Sequence, residues 1–233
     1  MRNNSNNKTF LFINLNKFTM VIVDEFNEVI FQKMITYKNS SEKFNLDLLD
    51  EFINQNIFKI EKELNEFITT IFLIVEHNDI FSVNLSIKKK IHDVSVNANL
   101  INNLLKDAKS CCKETLNKVD VMHMKIDQFH INNNTYKILP DQIKCENLSV
   151  DLTFICIPNN FLQNLEKVLK KYQISVDKTL SYEYLNSFVD INSNELSSVS
   201  KKILNGFNEN EVILTNKKSK NLSIFEKFFN FFN

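Results

Sequence analysis

Apolar residues recur along the chain with two different periods, and the switches between them predict a mixed α and β protein. Residues 10–15 and 18–24 read as two short strands, 25–28 as a polar turn and 29–35 as a third strand, together a meander. From Leu49 the spacing changes. Leu49, Ile53, Ile57, Ile60, Leu64 and Phe67 fall on one helical face and predict an amphipathic helix over about 47–68. Strands follow at 71–76 and 80–87.

A second unit starts near Val94. Leu100, Leu104, Ala108 and Cys111 mark a helix, and Ile101, Leu105 and Cys112 widen its apolar stripe. Residues 119–126 alternate as a strand, and 129–131 pairs with 136–138 across Asn132, Asn133 and Asn134. Asn tolerates positive φ and so can stand in for glycine in that turn. A buried strand at 148–157 stops at Pro158, and Asn159 or Asn160 is placed to cap the next helix. The stripe of that helix is Phe161, Leu162, Leu165, Val168, Leu169 and Tyr172. A short strand at 174–176 and a short helix at 182–188 complete the unit. Leu196, Val199, Ile203 and Phe207 then suggest a weak helix ending near Gly206.

The sharpest local pattern is at the end. On a helix, with roughly 100° per residue, Leu222, Ile224, Phe225, Phe228, Phe229, Phe231 and Phe232 occupy one half of the wheel. Ser223, Glu226, Lys227, Asn230 and Asn233 occupy the other half. Residues 208–221 ahead of it are polar and Lys-rich and read as a tether. Such a segment suits the interface of a membrane. Lys217, Lys218, Lys220 and Lys227 add attraction for an anionic surface, at about 1 kcal/mol each near the headgroups. A helix docked on its own domain, or in a partner's groove, would show the same pattern.

Composition narrows the chemistry. Net charge is zero and Arg2 is the sole arginine, which argues against nucleic acid, where Arg reads phosphates and base edges. One glycine in 233 residues argues against a backbone cradle for nucleotide phosphates. Cys111, Cys112, Cys145 and Cys156 show no framework spacing, and residues 1–8 are polar, disordered and unlike a cleavable leader; reduced thiols in the cytoplasm are the expectation. The longest apolar runs, such as 70–75, fall far short of the ~18 residues that span a bilayer. His77, His92, His123 and His130 lack metal-ligand spacing, and no nucleophile pairs with a base at recognisable spacing. No metal, cofactor or catalytic residue is therefore expected. A pocket of ~300 Å³ or more with convergent polar groups would instead point to an enzyme.

The element order resembles that of FtsA, the bacterial actin-family protein that ties the division ring to the membrane. The residues carrying the resemblance are the helix end at Leu104 to Ala108, Val121-Met122-His123, and Phe129-His130-Ile131-Asn132. Residues 148–157, the helix from Asn160, Ile174-Ser175-Val176 and the amphipathic tail add to it. The resemblance implies an α+β fold: a partial actin-like (ribonuclease H-like) subdomain at 9–92 and an inserted strand-helix-strand-strand subdomain at 93–178. A helical return segment at 179–207, the tether and the membrane-binding helix at 222–233 follow.

It also implies a non-catalytic division adaptor at the cytoplasmic face of the cell membrane. Its partners would be divisome proteins (FtsN-like or other late components, FtsZ indirectly), an anionic membrane surface and further copies of itself. The family's first phosphate loop carries an Asp and a Gly, whereas this chain has Asn14-Leu15-Asn16-Lys17-Phe18. The second, Gly-rich half expected after Asp190 is missing, so ATP binding is not expected. The alternative is an actin-like cytoplasmic adaptor for pilus or secretion machinery.

Overall fold

A computed structural model of the chain describes residues 7–37, 44–140, 143–188, 193–206, 208 and 210–212. Strand β1 (Lys8–Asn14) turns through two residues into β2 (Lys17–Val23), and β3 (Val29–Thr36) adds antiparallel on the outside. Helix α1 (Leu46–Leu64) carries the chain back to β4 (Thr70–Val75), which runs parallel to β1. The chain then leaves this sheet. Strand β5 (Phe81–Ser95), helix α2 (Ala98–Thr115) and strands β6 (Val119–Ile131), β7 (Asn134–Tyr136) and β8 (Lys144–Pro158) follow. These strands form a separate antiparallel sheet, ordered β5-β8-β6-β7. Helix α3 (Asn159–Lys170) returns to the first sheet, where β9 (Ser175–Ser181) lies parallel to β4 and completes the order β3-β2-β1-β4-β9. Helices α4 (Tyr182–Asn186) and α5 (Ser193–Leu204) come last among the described residues.

The first sheet is covered on both faces, which explains why β1, β2 and β4 are nearly continuous apolar runs. Leu11, Ile13, Met20, Ile22, Leu73 and Val75 face α1 and α3. Phe10, Phe12, Val21, Val23 and Ile74 face α4 and α5. The second sheet has one buried face, where Leu148, Val150, Leu152 and Phe154 pack on Leu104, Leu105 and Ala108 of α2. Met122 and Ile157 reach into the core beneath α1 and α3, and Ile155 into that beneath α4 and α5. The inserted unit is therefore packed onto the first sheet rather than hung from a linker.

Mixed α+β architecture, the opening meander, the helix that follows it and the inserted unit agree with the expected element order. Several boundaries differ. The strand expected at 80–87 runs to Ser95 and belongs to the second sheet, because it pairs with β8 along its length. Sheet membership therefore changes near residues 80 and 158, not at 92 and 178. Helix α1 stops at Leu64 instead of 68: Asn65 adopts φ 51°, and the Glu61 carboxylate accepts the Ile68 N–H at 3.0 Å. The segments 119–126 and 129–131 are one strand. Helix α3 is capped by neither Asn; Pro158 sits at its N-cap without a side-chain bond. Lys8, placed in a disordered leader by its sequence context, opens β1. Residues 1–6 and the predicted membrane helix lie outside the described residues.

Candidate functional site

The turn between β1 and β2 is where an actin-like protein would bind phosphate. Here Asn14 pairs directly with Lys17, leaving only Leu15 and Asn16 in the loop. The Asn14 side-chain oxygen accepts the Asn16 N–H at 2.9 Å, and its Nδ2 donates to Glu76 Oε2 at 3.0 Å. Tyr37 closes the other side, its hydroxyl donating to the Asn14 carbonyl at 3.2 Å and its N–H to the Asn16 carbonyl. The backbone amide that could face an anion is thus satisfied internally, and a carboxylate stands beside it. The neighbouring cavity between the sheet and α5, lined by Phe10, Phe12, Thr19, Tyr182 and Leu196 among others, holds about 120 Å³. Small-molecule sites run to roughly 300–1,000 Å³. These residues do not fit a nucleotide.

A larger feature lies where the two sheets meet. Strand β6 pairs with β8 on one side, but on its other side β7 covers only Phe129 to Ile131. Its edge from Val119 to Met124 has no strand beside it among the described residues. Strand β9 is the edge strand of the first sheet. The two open edges border a groove of about 460 Å³. Asp120, Val121 and Met122 line one wall, Val176 to Thr179 the other, and Leu162 and Glu166 of α3 together with Lys109 of α2 complete it.

The closed end of this groove is held by a buried hydrogen-bond network. His123 Nδ1 lies 2.9 Å from Glu211 Oε1, and the Ser181 N–H donates to His123 Nε2 at 2.9 Å. Since Nε2 accepts, the ring proton is on Nδ1 and is given to the carboxylate. The Tyr184 hydroxyl donates to Glu211 Oε2 at 3.0 Å and stacks near the His123 ring, with centroids 4.1 Å apart. Asn208 Nδ2 donates to the same hydroxyl, and Lys178 Nζ is 3.6 Å from Glu211.

Burial pushes His123 below its ordinary value and outweighs the opposing pull of Glu211. Burial alone would raise Glu211, but its hydrogen bond from His123, the positive charge of Lys178 and the Tyr184 bond hold the carboxyl below the usual range. The network ties β6 of one sheet to β9 and α4 of the other. It also pins the C-terminal stretch: the Val212 N–H donates to the Met124 carbonyl and the Ile126 N–H to the Asn210 carbonyl, both at 2.8 Å. The first residues of the predicted tether are therefore docked as a short antiparallel bridge.

The groove reaches a volume at which an enzyme pocket must be considered. Its charged groups are Lys109, Asp120, Glu166, Asp177, Lys178 and Glu211, and the hydroxyl bonded to one of them, that of Tyr184 on Glu211, is pushed well above its ordinary value by burial. A second polar cluster lies on the open face of the second sheet. There Asp151 accepts from Ser86 at 2.5 Å and Gln128 at 2.8 Å and contacts His130 Nε2 at 2.8 Å, while His130 Nδ1 meets Thr135 Oγ1 at 3.0 Å. Those bonds, led by the one from Ser86, hold the Asp151 carboxyl down at about 2. This row spans neighbouring strands on the sheet surface and reads as cross-strand pairing.

The sequence-predicted site residues Leu222, Ile224, Phe225, Phe228, Phe229, Phe231 and Phe232, with Lys217, Lys218, Lys220 and Lys227, all lie outside the described residues. His77 packs on Phe161 with ring centroids 4.4 Å apart. Cys111 is exposed, and Cys112, Cys145 and Cys156 are buried free thiols. Sequence reasoning missed the groove and the His123–Glu211 pair, which lie 88 residues apart in the chain. The one available signal was His123, a polar residue flanked by Met122 and Met124 in β6.

No family model and no curated protein matches the chain. Solved structures give loose likenesses. A type IV pilus biogenesis complex, PilM–PilN, aligns at 7% identity and a TM-score of 0.48, over 78% of this chain and 49% of that one. The cytoplasmic domain of EpsL, an inner-membrane component of the type II secretion system of Vibrio cholerae, aligns at 13% and 0.33, over 75% and 55%. A Bacteroides thetaiotaomicron protein of unknown function with an actin-like ATPase fold aligns at 10% and 0.33, over 79% and 56%. The chain thus spans about half the length of the structures it resembles. Strand order and direction, rather than these likenesses, define its architecture.

Proposed function

We propose that the chain is a non-catalytic adaptor that docks an extended segment of a partner protein in the groove between its two sheets. The observation carrying this reading is the pair of open strand edges, on β6 and β9, facing one groove. An unpaired edge presents a row of backbone donors and acceptors that an incoming strand can complete. Apolar Val121, Met122, Leu162 and Val176 would take alternate side chains of that segment, and the flanking charges would select its sequence. The internally satisfied turn at Asn14 to Lys17 supports the absence of nucleotide chemistry.

A pilus or secretion machinery is one setting in which an adaptor could use such a groove. The FtsA-like division role needs in addition that residues 222–233 bind lipid, and its support is the Phe pattern of that tail. A photo-crosslinking amino acid placed at Val176 in living cells tests the docking. One defined partner captured at Val176 and not at Lys33 on the opposite edge is expected; capture at both positions, or at neither, contradicts it. Neighbouring genes separate the settings: pilus or secretion genes for the first, cell-wall and division genes for the second.

A further inference from the structure

We propose that the cavity between the first sheet and α5 binds a small zwitterion, a free α-amino acid with an aliphatic side chain of valine size. The site shares no lining residue with the groove and stands apart from the docking reading. Its floor follows from strand register. Thr19 lies opposite Phe12 in the β1–β2 ladder, and Phe12 opposite Ile74 in the β1–β4 ladder, so the three stand in one row on the face that α5 covers. Two residues nearer the turn, Asn14 pairs with Lys17, and its Nδ2 donates to Glu76 Oε2 at 3.0 Å, giving a second, charged row. Leu196 of α5 closes the cavity from the helix side.

Three groups here lack the partners their chemistry calls for. Thr19 is 1% exposed, and its Oγ1 has no hydrogen-bond partner among the described residues. Such groups are rare in native folds. Lys17 is ion-paired with no described residue, and its Nζ lies 5.5 Å from the centre of the Phe12 ring, against the aromatic wall of the cavity. Glu76 likewise forms no ion pair among the described residues, although both charges border the same cavity. A zwitterion answers all three. Its carboxylate takes the Lys17 ammonium and the Thr19 O–H, which stand two residues apart on one face of β2. Its ammonium takes Glu76, and its side chain enters between Phe12, Ile74 and Leu196. A simple anion is opposed by Glu76 and a simple cation by Lys17. The volume of about 120 Å³ sets the size. A cavity of ~150 Å³ holds benzene, so here an isopropyl group enters and a benzyl group does not.

The test titrates L-valine into the full chain and follows backbone amide shifts by NMR. Isovalerate and isobutylamine, each lacking one of the two charges of valine, and L-phenylalanine, which is too large, are the comparison probes. Valine should bind with a dissociation constant of about 1 mM or below, with shifts centred on Phe12, Thr19 and Ile74. The three comparison probes should bind about tenfold more weakly or worse. Lys17→Met, Glu76→Gln and Thr19→Val keep the shape of each side chain and should each weaken valine by about tenfold. Lys33→Met, on the far edge of the same sheet, should leave it unchanged. Thr19→Val is the sharpest arm, because it removes an unmet buried hydroxyl and keeps the chain folded, so lost binding there does not come from unfolding. No response to valine, equal binding of isovalerate or isobutylamine, or valine affinity untouched by the three substitutions would each overturn the proposal.

Discussion

Asparagine carries out in this chain much of what glycine does elsewhere. Asn27, Asn65 and Asn132 all hold positive φ, at 71°, 51° and 55°, in the β2–β3 turn, at the end of α1 and in the β6–β7 turn. Asn45 and Asn97 cap α1 and α2 by accepting backbone N–H groups. At Asn65 a side chain is strained wherever glycine is not. Asn65→Gly should leave stability unchanged or slightly raised, and Asn65→Ala should lower it by about 1 kcal/mol in urea unfolding. Thr19 is the opposite case: its buried Oγ1 has no hydrogen-bond partner among the described residues. Thr19→Val keeps the shape and removes the unmet group, so it should stabilise by about 1 kcal/mol.

His123 makes stability depend on pH. Its folded value lies below the ordinary 6.5, so the unfolded chain binds the proton more readily. The stabilisation is present above 6.5 and is lost as pH falls, since protonated Nε2 can no longer accept from Ser181. Glu211, also depressed, acts in the same direction at lower pH. The urea midpoint should fall between pH 7 and pH 5 in the native chain, and by less in His123→Gln.

At the scale of elements, helices and buried strands were legible because their periods are long or their apolar runs continuous. Helix α3 shows this: Leu162, Leu165, Val168 and Leu169 are all buried, as their spacing predicts. Leu165→Ala, at a fully buried position, should cost ~2–5 kcal/mol, read from the urea midpoint. Sheet membership was not legible. Strands β4 and β5 are adjacent in sequence, yet one pairs with β1 and the other with β8, and pairing is a property of distant partners. The docked bridge at Glu211 was hidden for the same reason. Its sequence is polar and reads as linker, while its hold comes from His123, Tyr184 and the Met124 carbonyl.

At the scale of the whole molecule, a five-stranded sheet covered by helices on both faces joins an inserted sheet packed on one helix, with a groove where their edges meet. The mixed α and β architecture was legible, because it follows from the order of elements. The groove needed the arrangement of two edges in space. Among the described residues no helix is long and apolar enough to cross a membrane. The Phe pattern of residues 222–233 is what suggests lipid binding, and Phe225→Glu with Phe229→Glu should abolish sedimentation with anionic vesicles while the fold stays intact. The most direct test of the central claim is amide exchange of the full chain with and without a peptide covering the segment captured at Val176. Slowed exchange along β9 from Val176 to Thr179, with β3 unchanged, is the predicted result. Protection confined to the turn at Asn14 to Lys17, or none along β9, would contradict it.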